Sequence, residues 1–333
     1  MSNARPASHA GSWYSDDKAA LDRELSGYLS NVPSSIDDVG EIPPAGARII
    51  IAPHAGYSYS GPAAAWAYKS LNLTDIKRVF ILGPSHHIYL DGCALTSHST
   101  YDTPLGPLTI DTAANTALLQ KASSKFSIMS QTADSDEHSI EMHLPYTYKT
   151  LINHFGTHDN IPPVVPILVG AINTASEKVY GNILAEYLDK PENAFIISSD
   201  FCHWGSRFSY QYYIPTPGGE GFALKRNSKT PPSGSQEIWK SIEELDKAAI
   251  DAIETGVHDN FAKYLRETKN TVCGRHPIGV IMAALEELVK ARERNGEDVT
   301  GKGKFKFVRY EQSSKCRRVE DSSVSYASAF AVL

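Results

Sequence analysis

The chain has 333 residues, with 32 Lys or Arg against 38 Asp or Glu, a formal net charge of −6 with histidines neutral. That balance argues against a dedicated nucleic-acid binder, which needs a basic face. Apolar residues at 41% and charged residues at 21% describe a chain that folds around a real core.

From the N-terminus, Met1 to Ser12 shows no cationic patch followed by an apolar stretch, so the reading is a cytosolic chain without a secretory or transit signal. Residues 31–46, with Pro33, Pro43 and Pro44, read as a surface loop. Branched apolar runs at Arg48 to Ala52, Val79 to Leu82, Val164 to Val169 and Ala194 to Ser198 read as buried strands. Helical patterns fall between them, at Gly61 to Leu71 and Ser176 to Leu188. Alternation of this kind predicts an α/β fold with a mostly parallel or mixed central sheet flanked by helices.

Residues 214–236, rich in Pro, Gly, Ser and Lys, read as a second surface linker or loop, and the length reads as one domain spanning 1–333. Ile238, Ile242, Leu245, Ala249 and Ile253 predict a helix, and Asn260 to Thr268 continues the pattern. A last helix opens near Pro277 and stops at Asn295-Gly296. Lys304 to Tyr310 and Ser323 to Leu333 read as strands completing the sheet. The longest apolar run lies within Gly279 to Leu285, far short of the roughly 20 residues of a membrane-spanning helix. Cys93, Cys202, Cys273 and Cys316 form no C-x-x-C pair, which argues against a disulfide framework or zinc ribbon.

Three of the strands run into histidine motifs: Pro53-His54-Ala55-Gly56-Tyr57, Gly83-Pro84-Ser85-His86-His87 and Ser198-Ser199-Asp200-Phe201-Cys202-His203-Trp204. Ligands of open α/β sheets bind beyond the carboxyl ends of the strands, so parallel neighbours would bring these imidazoles to one rim. A convergent set of histidines with a carboxylate suits a metal ion with open positions. Adjacent residues on extended chain point apart, so one of His86 and His87 faces the site. Cys273-Gly274-Arg275-His276-Pro277 precedes the last helix, whose dipole, with Arg275, would favour a thiolate; a packed, inert cysteine is the equal alternative. In Asp136 to His143, His138 and His143 are five apart and make a poor bidentate pair on a helix. His138 and Glu141, three apart, share a face and suit a proton relay, or the segment is a capped helix start. No P-loop, dinucleotide-binding or nucleophile-elbow signature occurs.

APHAGYSYSG, FILGPSHH, DEHSIEMHLPY, SSDFCHWG, CGRHPIG and DSSVSYAS occur in this order, after Ser8 to Tyr14, over nearly the whole chain. Together they resemble the Memo family. The resemblance implies an α/β fold similar to that of class III extradiol non-haem iron dioxygenases, with His54, His86 and Cys273 as metal ligands and Asp200 and His203 lining the same cavity. Cys273 stands where those dioxygenases use a carboxylate, and a thiolate shifts preference toward softer ions, which argues against ring-cleaving dioxygenase activity. The family implies iron(II) or copper as cofactor, redox chemistry with small oxygen species, a cytoplasmic and nuclear location, and signalling partners bearing phosphotyrosine.

The leading expectation is a metal-dependent oxidoreductase in which His203 serves as catalytic acid or base, oriented by Asp200. His138, Glu141, Trp13 and Tyr57 would surround the ligands or contact substrate. The alternative is a non-catalytic module that binds a phosphotyrosine peptide or sequesters copper in the same cleft, walled by Trp13, Tyr57 and Trp204. A zinc hydrolase is a third reading, because two histidines and a cysteine leave a fourth position for water.

Overall fold

A computed structural model describes residues 3–122, 124–224, 228, 231 and 234–333. A nine-stranded sheet forms its centre. In chain order its strands are β1 (Ala47–Ala52), β2 (Arg78–Pro84), β3 (Cys93–Leu95), β4 (Phe126–Ile128), β5 (Val164–Val169), β6 (Asn193–Ser198), β7 (His203–Trp204), β8 (Phe305–Gln312) and β9 (Ser323–Val332). The helices are α1 (Lys18–Ser30), α2 (Tyr57–Ser70), α3 (Thr112–Lys121), α4 (Gln131–Asp136), α5 (His138–Glu141), α6 (Leu144–Phe155), α7 (Thr174–Leu188), α8 (Ile238–Glu254), α9 (His258–Thr268) and α10 (Arg275–Arg294). Among the described residues no helix is long and apolar enough to cross a membrane.

The spatial order is β7-β9-β1-β6-β2-β5-β3-β4, with β8 also paired to β9. β1, β6, β2 and β5 are mutually parallel, whereas β9 joins β1 and β3 joins β5 antiparallel. The sheet is therefore mixed, with a parallel middle. Every residue of β1, β5 and β6 is buried, and alternate side chains enter two different cores. Ile49, Ile51, Phe80, Leu82, Phe195 and Ile197 face one core with α7, α8 and α10. Ile50, Val79, Ile81, Ala194 and Ile196 face the other with α1, α2 and α6. A strand apolar on both faces has a helix layer on each, which is why these four runs read as continuous hydrophobic blocks.

Two crossovers set the position of the cleft. β1 reaches β2 through α2, skipping over β6; β5 reaches β6 through α7, skipping back over β2. Right-handed crossovers running in opposite directions must lie on opposite faces, as the two cores record. The crevice between them opens beyond the carboxyl ends of β1, β6 and β2.

Residues 31–46 form a mostly exposed loop, as expected, in which Ser35–Ile36 pairs with Gly40–Glu41 and Val32 and Ile42 anchor it in the second core. The α2 helix begins at Tyr57, earlier than the Gly61 expected, and carries Pro62 in its first turns. There proline gives up the helical hydrogen bond that residue 62 would make to the Ser58 carbonyl. Of the 214–236 stretch, Phe222–Ala223 pairs back onto Tyr212–Tyr213, while residues 225–227, 229, 230, 232 and 233 lie outside the described residues.

Candidate metal centre

His54 follows β1, His86 follows β2, and Cys273 ends the turn before α10. One donor atom from each lies within 4.8 Å of the others. The turn reaches the strand ends because residue 274 is glycine: a Cβ there would stand 2.2 Å from the Ser198 carbonyl oxygen. Gly83 plays the same part for α5, since its Cβ would lie 2.6 Å from Ser139 Oγ. These two close approaches explain the glycines of the FILGPSHH and CGRHPIG motifs.

Hydrogen bonding fixes the tautomer of both rings. Ser198 Oγ donates its single proton to the Ser139 carbonyl at 2.7 Å, so it can only accept from His54 Nδ1 at 2.6 Å. His54 Nε2 is thus bare. Burial, then the neighbouring rings of His86 and His138, push its pKa well down and keep it neutral. Glu137 does the same for His86, accepting the backbone N–H at 2.7 Å and Nδ1–H at 3.0 Å. Burial alone would raise the Glu137 pKa, but these bonds and the Ser139 N–H outweigh it and hold the carboxyl at about 2. His86 is thereby held through Nδ1, which leaves Nε2 as its available donor atom. A carboxylate behind one histidine and a hydroxyl behind the other are the partners that orient imidazole ligands.

Cys273 Sγ stands 3.2 Å from His54 Nε2 and accepts the Asp200 N–H at 3.1 Å. Burial, then the charge of Asp200, pushes its pKa well above the usual thiol range. This corrects the expectation that the α10 dipole and Arg275 make a thiolate. The guanidinium of Arg275 instead contacts the Val272 carbonyl and faces a different concavity. The thiol has the Asp200 carbonyl at 3.4 Å as an acceptor and shares its other contact with His54 Nε2, and a cation between sulfur and Nε2 would displace its proton.

His54, His86, His138, Asp200, His203 and Trp13 line one cavity of about 780 Å³. His203 Nδ1 lies 2.9 Å from the Phe201 carbonyl and 3.1 Å from that of Thr271, so Nδ1 carries the proton and Nε2 the lone pair. The ring is therefore oriented by main-chain carbonyls, not by Asp200. The Asp200 carboxylate instead accepts the His54 N–H at 2.8 Å, and burial raises its pKa.

His138 stacks beside His86, its ring centroid 4.4 Å from that of His86 and 4.6 Å from that of Trp13. Burial and His86 hold its pKa near 3 despite Glu137. His86, not His87, joins the ligand group; His87 is exposed and touches the site only through an edge contact with His138. His138 and Glu141 form no relay. Glu141 turns away and accepts hydrogen bonds from Arg5, Ser8, His9 and Tyr14, fastening the N-terminal segment to α5. His143, as expected, pairs with neither; it is buried against Tyr68.

The aromatic walls also need revision. Tyr57 is 2% exposed and donates to the Met142 carbonyl, and Trp204 is fully buried and donates to the Tyr212 carbonyl. Both belong to the core. Trp13, 37% exposed, is the aromatic that reaches the cavity mouth, with Tyr59 and Phe208 beside it. Sequence reasoning missed Glu137 and Ser198 as histidine partners; the first lies next to His138 in sequence, and the second gives no sequence signal. Glu137→Gln is expected to lower metal affinity about 10- to 100-fold, as for other second-layer carboxylates, with an unchanged circular dichroism spectrum, measured by chelator competition.

The geometry defines a mixed α/β protein whose crevice, at the carboxyl edge of parallel strands, gathers two imidazole nitrogens and one thiol. A family profile described as Memo-like protein matches residues 5–330, and the chain belongs to that family. Among curated relatives, Protein MEMO1 of Danio rerio is 46% identical over 330 residues, covering 98% of each chain. Protein MEMO1 of Homo sapiens is 44% identical over 330 residues with the same coverage. A memo-1 homolog of Caenorhabditis elegans is 41% identical, covering 98% of this chain and 82% of that one. The crystal structure of an uncharacterized Escherichia coli protein covers 84% of this chain at 13% identity and a TM-score of 0.43.

Proposed function

We propose that this chain is an intracellular mononuclear iron or copper protein with a redox function, its ion held by His54, His86 and Cys273. The observation carrying this reading is the convergence of three donor atoms within 4.8 Å, two of them on imidazoles whose Nδ1 atoms are each held by a fixed partner. Two imidazoles and a sulfur suit iron, copper or zinc better than magnesium or calcium. An ion bound there would supply one-electron exchange with dioxygen or superoxide. His203 presents an unprotonated Nε2 to the same cavity and can take or return a proton. Trp13 and His138 stack in series beside His86, which is itself exposed to solvent. With sulfur in place of a carboxylate, the donor set speaks against extradiol ring cleavage.

Elemental analysis with electron paramagnetic resonance on anaerobically purified protein tests the reading. Stoichiometric iron or copper is expected in the wild type and in His203→Ala, with oxygen consumption under reductant lost only in the variant. An absence of bound metal after reconstitution would sink it.

A second reading, a binding module for phosphotyrosine segments, rests on Arg207. It lines the cavity mouth, stacks on Phe208 at 4.4 Å and has no carboxylate partner among the described residues. Metal-loaded protein that consumes no oxygen yet binds a phosphotyrosine peptide, with affinity lost in Arg207→Gln, would favour it.

A further inference from the structure

A second concavity, of about 460 Å³, lies behind the Cys273 turn, between α7, α9 and the start of α10. Three cations border it: Arg266 in the last turn of α9, Lys269 at its end and Arg275 at the first position of α10. None of the three pairs with a carboxylate among the described residues; Arg275 contacts only the Val272 carbonyl, at 3.4 Å. Lys269 holds φ at 56°, a left-handed helix-capping position that favours glycine or asparagine. A lysine there keeps a side chain that the backbone conformation does not reward, and it brings a third charge to this wall. Backbone outliers of this kind point to a local role for the side chain.

One carboxylate faces the same space, and it is already engaged. Glu177 is buried, with Oε1 accepting from His276 Nδ1 at 2.6 Å and Oε2 accepting from His258 Nε2 at 2.8 Å. Those contacts orient His276, which lines the concavity. Three positive charges against this one negative charge leave two in excess, in a chain whose net charge is −6. A local field of that sign and size attracts a dianion, and two guanidinium forks suit the oxygens of a tetrahedral phosphate.

We propose that this concavity binds a phosphate group, free or as the terminal group of a small phosphate ester, gripped by Arg266, Lys269 and Arg275 beside His276. The site also touches the catalytic side of the protein through one residue. Thr271 lines the concavity, while its carbonyl and hydroxyl hold the ring and backbone N–H of His203 at 3.1 and 2.8 Å. The phosphate site stands on its own geometry and does not depend on metal binding.

Isothermal titration of the full chain with inorganic phosphate and with glycerol 3-phosphate tests it. Saturable one-to-one binding of either supports the site, and tighter binding of the ester identifies an ester as the ligand. Affinity should fall more than about tenfold in Arg266→Gln/Arg275→Gln, as expected when charge-assisted bonds are removed. Lys269→Asn, which suits the left-handed cap, should weaken binding without lowering the melting temperature. Lys306→Gln, an exposed cation on β8 away from the concavity, should leave it unchanged. No saturable binding, equal affinity in the double variant, or loss in Lys306→Gln would overturn the proposal.

Discussion

Cys273→Ser is expected to abolish stoichiometric iron or copper uptake. Loss of a direct sulfur ligand should cost more than the roughly 10- to 100-fold of a second-layer partner. The substitution exchanges sulfur for a smaller oxygen, keeps the short side chain near the Asp200 N–H and leaves the Gly274 contact intact, so the fold should survive. Metal content by mass spectrometry, beside an unchanged thermal melt, is the measurement. Proton release should distinguish the forms as well. Burial keeps Cys273 protonated in the metal-free protein, so loading the wild type should release a proton that Cys273→Ser does not. Full metal content in the variant would move the site away from the Cys273 turn.

Arg5→Ala should produce the largest loss of stability. Arg5 is 1% exposed; its guanidinium binds Glu141 at 2.6 Å, Asp134 at 3.1 Å and the Glu137 carbonyl at 2.8 Å. Removing it strands two buried carboxylates, which typically costs about 3–5 kcal/mol. Chemical denaturation should show that loss, with a smaller one for Arg5→Lys, which keeps the charge and gives up the planar fork.

A pH dependence accompanies it. Burial would raise the Glu141 pKa, but hydrogen bonds from His9 and the charge of Arg5 bring it from 4.5 to about 2. A carboxyl depressed in the folded state stabilises above its unfolded pKa, and that contribution is lost as the pH falls from about 4.5 toward 2. In Arg5→Ala the Glu141 pKa rises, so acid unfolding should begin at a higher pH. An unshifted acid transition would mean that Arg5 does not govern this carboxylate. Because Arg5 also holds the Glu137 carbonyl, the variant should loosen His86 and weaken metal binding.

The parts of the fold that were legible in the sequence share one physical property. β1, β2, β5 and β6 are apolar on both faces and lie centrally, so burial alone marks them, and α10 presents a long apolar stripe with a clear stop at Asn295. β3 and β4 are three-residue strands at the sheet edge, too short to carry a period, and α3 has only three buried positions. His54, His86, Asp200, Cys273 and His203 were legible because each follows a strand or precedes a helix within a compact motif. Tyr57 and Trp204 were misplaced because aromatic residues beside such motifs can turn to the core as readily as to the cavity.

By itself the sequence determined the α/β class, the strands that carry the site and the residue types at their ends, since these depend on local patterning and on motifs contiguous in the chain. Tertiary structure decided which atoms of these side chains are engaged and by what. His54 Nε2 is bare because Ser198, 144 residues away, already spends its proton on Ser139. His86 is oriented by Glu137 from another element, and His203 by the carbonyl of Thr271. A tautomer is set by what faces the far nitrogen across space, and that neighbour comes from a distant part of the chain.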